Sequence, residues 1–178
     1  METNKPCKFD HNGECLICDC WPDSCAYERY LKGDYTYETP EEMQQMFGNT
    51  MTDEEMDAFL ESIGGLENGY FTDREPIKDC GIFCVSNGWF PLIKQLIEDL
   101  IALGWDKKIC QVKEKFGGLR FYIGAGSNEI HDRISQAEND SYNICERTGK
   151  PGELRRDLGW WVTLCEEEYQ KELEKRKK

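Results

Sequence analysis

The chain has 178 residues, 39% of them hydrophobic and 12% aromatic, and a net charge of −13. That is enough apolar material for one ordinary domain plus a small appendage, which argues against a disordered chain. The most apolar stretch, residues 89–105, carries Lys94, Glu98 and Asp99, so it does not read as a membrane span, which needs about 20 apolar residues with few charges. No basic segment followed by an apolar one comes after Met1, so a secretory leader is not expected, and the expected location is a reducing cytoplasm. Structural disulfides are rare there, and ten cysteines call for another explanation.

The charge is unevenly placed. Residues 1–75 hold 18 acidic against 5 basic side chains, whereas residues 76–178 hold 17 of each. A region that negative repels nucleic acid and attracts basic protein surfaces.

In chain order, residues 1–33 are cysteine-rich and broken by Pro6, Gly13, Pro22 and Gly33. They have no apolar period and read as a metal-binding knot. Residues 34–75 read as an acidic helical segment with two short helices. The first is expected at Thr39-Pro40-Glu41-Glu42 and the second at Thr52-Asp53-Glu54-Glu55, each opened by a capping box in which threonine and a glutamate three residues on satisfy each other's backbone N–H groups. Met56, Phe59, Leu60 and Ile63 give the second a helical period, and Gly64-Gly65 stops it.

Residues 76–178 read as an α+β domain. A helix is expected over 86–104, with Trp89, Leu92, Ile93, Leu96, Ile97, Leu100, Ile101 and Leu103 on its apolar face. Two strand-like runs, 108–116 and 119–124, flank Gly117-Gly118, a strong hairpin signal. In the second, Leu119, Phe121 and Ile123 alternate with Arg120 and Tyr122. A helix over 129–145 follows with Ile130, Ile134, Ala137 and Ser141 on one side, then a short strand at 159–164 and a charged helix over 166–178. The fold class expected is α+β: a helix packed on a small antiparallel sheet that includes the hairpin and the 159–164 strand, with the cysteine knot and acidic helices extending from it.

The cysteines carry the chemistry. Cys7, Cys15, Cys18, Cys20 and Cys25 fall within 19 residues. A Cys-x2-Cys pair lets two sulfurs reach one ion from a tight turn, and zinc takes four such ligands tetrahedrally. Structural Zn2+ is the expected cofactor, held by Cys7, Cys15 and Cys25 with either Cys18 or Cys20 as the fourth ligand. Cys80 and Cys84 read equally as a metal pair or as small core residues. Cys110 lies in a strand and reads as buried and inert. Cys145 and Cys165 each look like half of a Cys-x2-Cys knuckle, with Thr148 and Glu168 where the second thiols would stand.

Gly88-Trp89, the helix that follows, and the string Gln111-Val112-Lys113-Glu114-Lys115-Phe116-Gly117-Gly118-Leu119-Arg120-Phe121-Tyr122 resemble a family of small proteins encoded by phages and other mobile elements. In that family a segment like Ala137-Glu138, a Cys-x2-Cys-Gly-x-Pro-Gly knuckle and a closing Gly-Trp-x-Thr-Leu-Cys-x2-Cys element follow. The resemblance spans residues 86–168 and departs at the two missing knuckle cysteines, which removes a carried-over zinc site. It implies a mobile-element origin and no enzymatic activity.

Three classes of function compete. An interaction protein would use the acidic region, with Glu41, Glu42, Asp53, Glu54, Glu55, Asp57 and Glu61 as the contact and a basic host protein as the partner. The sharpest form is a zinc-containing anti-CRISPR protein that obstructs DNA engagement by a type II CRISPR-Cas effector nuclease, with no direct nucleic-acid binding. A nucleic-acid-binding regulator would use Lys113, Lys115, Arg120, Arg147, Lys150, Arg155 and Arg156 beside Tyr122 and Trp160. An enzyme is the weakest reading: His11 and His131 are the only histidines, and no phosphate loop, nucleophile elbow or metalloprotease motif is present.

Overall fold

Residue alternation and helical periodicity build the architecture seen in a computed structural model, which describes residues 50–70 and 75–177. All of these fall in one compact unit, Thr39–Lys178. The expected helix at residues 39–42 and the whole cysteine knot lie outside the described residues.

Helix α1 (Asp53–Ser62) starts on a complete capping box: Thr52 Oγ1 accepts the Glu55 N–H at 3.2 Å, and Glu55 accepts the Thr52 N–H at 2.8 Å. Its apolar side, Met56, Phe59 and Leu60, is buried in the same core as the elements after residue 76. Strand β1 (Glu67–Asn68) and strand β2 (Phe83–Cys84) follow, then helix α2 (Phe90–Ala102). One turn of 3-10 helix at Asn87–Trp89 leads into α2, and Pro91 sits in its first turn, where no N–H is needed. Along the face read from the sequence, Trp89, Leu92, Ile93, Leu96, Ile97 and Leu100 are fully buried, while Leu103 projects into solvent beyond the helix end.

Strands β3 (Lys108–Lys115) and β4 (Gly118–Ile123) form the expected hairpin. Its turn lies one residue earlier than Gly117-Gly118. Lys115 pairs with Gly118, and the two central residues are Phe116 and Gly117, at φ +55° and +78°. Both lie in the left-handed region, as a type I′ turn requires. An aromatic residue there is uncommon, and it leaves the Phe116 ring on the surface.

The sheet is mixed, not wholly antiparallel. β1 and β2 both pair with β3 in parallel, on the edge of β3 that β4 does not occupy. The sequence could not announce this, because two-residue strands carry no alternation to read. Helix α3 (Asn128–Asp140), capped by Ser127, turns Ile130, Ile134 and Ala137 onto the core, and Arg133 on α3 meets Asp99 on α2 at 2.8 Å. The buried Ser141 hydroxyl is satisfied: it accepts the Leu119 N–H at 2.9 Å and donates to the Glu138 carbonyl at 2.6 Å.

The 159–164 strand does not join this sheet. Strand β6 (Val162–Leu164) pairs with β5 (Glu153–Arg155) in a separate two-stranded ribbon, and helix α4 (Glu166–Arg176) follows. Cys145, Leu158, Val162, Leu164 and Cys165 form a second small core with Tyr169 and Leu173 against it. The ribbon captures the hairpin tip. Thr163 Oγ1 donates to the Gly117 carbonyl at 2.6 Å, and a Cβ on Gly117 would run into the Leu154 side chain.

Candidate functional site

The described chemistry-bearing groups gather in two places. In the first, the chain turns sharply after Cys145. The Gly149 N–H bonds back to the Cys145 carbonyl at 2.9 Å, the Cys145 N–H bonds to the Lys150 carbonyl at 2.8 Å, and Gly149 takes φ +68°. The ribbon then delivers Cys165 to the N-terminus of α4. The result is a knuckle, a hairpin and a helix start converging on one point. Thr148 Oγ1 lies 3.6 Å from Cys165 Sγ, and Cys145 and Cys165 are both buried in the second small core. Burial alone would push the Cys165 thiol up, but the Glu168 amide, Thr148 hydroxyl, Cys145 thiol and Glu167 amide outweigh it and hold it below the ordinary thiol value.

Glu168, at the fourth knuckle position, is engaged elsewhere. Arg147 contacts Glu168 at 3.2 Å and Glu172 at 2.7 Å; Lys171 reaches Glu168 at 2.6 Å and Lys175 reaches Glu172 at 2.8 Å. This ion network, together with the second small core, ties α4 to the knuckle. Among the described residues no group of three or more His, Cys, Asp or Glu side chains is placed to hold a metal. The network predicts a pH dependence. Lys175, then Arg147, hold the Glu172 carboxyl down at about 2, against an ordinary value of 4.5, and Lys171 and Arg147 also lower that of Glu168. Carboxylates depressed in the folded state stabilise it above their unfolded pKa and lose that contribution as pH falls through the folded one. Near-UV circular dichroism of Trp160 and Trp161 is therefore expected to fade between about pH 4.5 and 2. In Arg147→Gln the loss should begin at higher pH; an unchanged profile would show that α4 is held by its apolar contacts alone.

In the second place, α1 meets the 3-10 turn at Cys80–Ile82. The Asp57 carboxylate accepts the Cys80 N–H at 2.5 Å, and Asp53 accepts the Cys80 thiol at 3.5 Å. Burial, then Asp57 and Asp53, push the Cys80 thiol up to about 12. Cys84 is exposed on β2 and Cys110 is half-buried. Iodoacetamide at pH 8 is thus expected to alkylate Cys84 quickly and Cys80 slowly, read by peptide mass mapping. Asp53→Asn with Asp57→Asn should speed Cys80 at least several-fold; equal rates at Cys80 and Cys84 in the parent would refute the assignment.

The expected contact and metal residues are distributed as follows. Glu54 and Glu61 are exposed on α1, Glu55 is exposed and serves the capping box, and Asp53 and Asp57 hold Cys80. Glu41, Glu42, Cys7, Cys15, Cys18, Cys20 and Cys25 lie outside the described residues. The basic residues proposed for nucleic acid divide. Arg147, Lys150 and Arg155 are each paired with glutamates. Arg120 leans in towards Tyr142, 3.2 Å away, and towards half-buried Glu138. Lys113 and Arg156 instead lie against the aromatic rings of Tyr122 and Trp161, and Lys115 also lies against the Phe116 ring.

No protein-family model, curated protein or solved structure matches the chain. Among the described residues no helix is long and apolar enough to cross a membrane.

Proposed function

We propose that this chain is a non-catalytic interaction protein of mobile-element origin that docks its acidic region on a basic surface of a host defence nuclease. In its sharpest form the partner is a type II CRISPR-Cas effector, and docking obstructs the channel through which that enzyme engages DNA. The observation that carries this reading is the charge partition, with the whole excess of −13 within residues 1–75. Helix α1 fits the role because its apolar side is committed to the core while Glu54 and Glu61 face solvent. Structural zinc bound by Cys7, Cys15 and Cys25, with Cys18 or Cys20, belongs to the same proposal as a staple for the acidic region.

The test is titration calorimetry of the full chain against purified type II effector at two salt concentrations, with DNA cleavage as the functional readout. Tight association that weakens with salt and blocks cleavage is expected. Glu54→Lys with Glu61→Lys should weaken it at least tenfold without altering the fold, since exposed substitutions away from structural features shift stability by about 0.5 kcal/mol or less. No association, or association indifferent to salt and to both substitutions, would sink the reading. Metal analysis of the parent against Cys7→Ser and Cys25→Ser tests the staple, with one zinc equivalent lost as the expected result.

A further inference from the structure

The outward face of the β3–β4 hairpin and the loop before β6 form a surface that the acidic docking reading leaves unused. On the hairpin, Val112, Leu119 and Phe121 turn inward and are buried. By strand alternation Lys113, Lys115 and Tyr122 share the opposite face. Lys113 Nζ lies 5.5 Å from the centre of the Tyr122 ring, and Lys115 Nζ lies 5.2 Å from that of Phe116. The Phe116 ring meets Trp161 edge to face at 5.8 Å, and the Arg156 guanidinium stacks on Trp161 at 4.4 Å. Tyr122, Lys113, Lys115, Phe116, Trp161 and Arg156 thus form one strip that mixes rings with cations.

Three features suggest that the strip is built for a ligand. Two of its rings are open, Phe116 48% and Tyr122 39% exposed, whereas among the described residues Phe59, Phe83, Trp89, Phe90, Trp105 and Phe121 are buried. Among the described residues neither Lys113 nor Arg156 is in an ion pair, in contrast to Arg147, Lys150 and Arg155. The placement is enforced: the left-handed Phe116 backbone and the Thr163–Gly117 hydrogen bond fix the hairpin tip against the ribbon that carries Trp161.

We infer that this strip binds an unpaired nucleic-acid strand without sequence preference, its rings stacking on bases while Lys113 and Arg156 track the phosphates. Rings interleaved with cations suit a single strand because every base has a face to stack and every linkage a charge. A duplex hides its base faces, and an acidic peptide would use the cations but leave the rings idle. Overall negative charge does not forbid the contact, since residues 76–178 are balanced and the strip is locally cationic.

The experiment is fluorescence anisotropy of the full chain with a labelled 20-nucleotide oligothymidylate, at 50 and 200 mM salt, beside a duplex of equal length. The single strand is expected to bind at least tenfold more tightly than the duplex. With two phosphates neutralised, by Lys113 and Arg156, at a log–log slope of about −0.7 each, the fourfold rise in salt should weaken binding roughly sevenfold. Arg156→Glu should cost tenfold or more, whereas Lys94→Glu, the same charge change on α2 beneath the other side of the sheet, should cost little. Trp161→Phe should remove part of the tryptophan quenching that accompanies binding. Equal affinity for duplex, equal losses in Arg156→Glu and Lys94→Glu, or no saturable binding at 50 mM salt would each overturn the proposal. Displacement of the strand by polyglutamate at matched charge would overturn it in favour of an acidic protein. The acidic docking proposal is untouched by these outcomes, because its variants lie on α1.

Discussion

Thr148→Cys together with Glu168→Cys is expected to give the chain one zinc equivalent beyond whatever the parent holds. Thiolates 2.3 Å from a tetrahedral zinc stand about 3.8 Å apart, and Thr148 Oγ1 already lies 3.6 Å from Cys165 Sγ. Cys145 is buried with Cys165 in the second small core, and Cys165 caps the helix that carries Glu168. Two of the four ligand positions therefore already stand at ligand spacing, and a third lies in the same small core. Without zinc the double variant should be less stable than the parent, because Arg147 and Lys171 lose their contacts with Glu168 at 3.2 and 2.6 Å. The loss should be modest, since these pairs are partly solvated and Arg147 keeps Glu172 at 2.7 Å. With zinc the order should reverse by a large margin, because binding to a four-thiolate knuckle contributes directly to folding, by about 10 kcal/mol or more in small zinc domains. Zinc content against the parent and melting temperature with and without chelator are the readouts. No added zinc would mean that the two half-knuckles do not frame a tetrahedral site.

The second large effect is expected at Trp89→Ala. Trp89 is fully buried, and its Nε1–H donates to the Ile144 carbonyl at 2.8 Å. Around it the segment before α2 docks on the knuckle: the Ser86 N–H and hydroxyl reach Glu146 at 3.1 and 3.2 Å, and a Cβ on Gly88 would run into the Cys145 and Glu146 carbonyls. Truncating a buried tryptophan costs about 3–5 kcal/mol through lost burial and cavity. Stranding the Ile144 carbonyl adds about 1–3 kcal/mol. A domain of this kind is stable by about 5–15 kcal/mol, so Trp89→Ala should be at or near global unfolding at 25 °C. Trp89→Phe keeps most of the volume and loses the hydrogen bond, and should fall between parent and alanine. Urea midpoints at constant slope measure both. A shift of under about 1 kcal/mol for the alanine variant would show that the joint between the two cores is not where Trp89 sits.

Much of this was legible in the residues. The capping box at Thr52, the apolar period of α2, the alternation of β4 and the inward row of Ile130, Ile134, Ala137 and Ser141 are local patterns set by backbone geometry, and each appears where its period put it. The reading of Cys145 and Cys165 as half-knuckles rested on spacing alone, and the structure buries both thiols in the second small core. Three features were not legible. The hairpin turn moved one residue because Lys115 pairs with Gly118, a register fixed by which face of β4 meets the core. The parallel pairing of β1 and β2 lies in strands too short to show a pattern. The fate of several basic residues turned on partners distant in sequence: Arg147 found α4, and Arg120 found Tyr142.

The sequence by itself thus determined the main helices and the hairpin, their buried faces and the confinement of the −13 charge to residues 1–75, since each follows from residue order alone. Only the tertiary structure decided how the parts meet. It separated the 162–164 strand from the main sheet, divided the cations between ion pairs and aromatic rings, and brought Phe116 and Trp161 to 5.8 Å across 45 residues of chain. Those outcomes depend on long-range packing, in which a side chain's partner is set by the competition among all the faces that must be buried at once, and no local period encodes it.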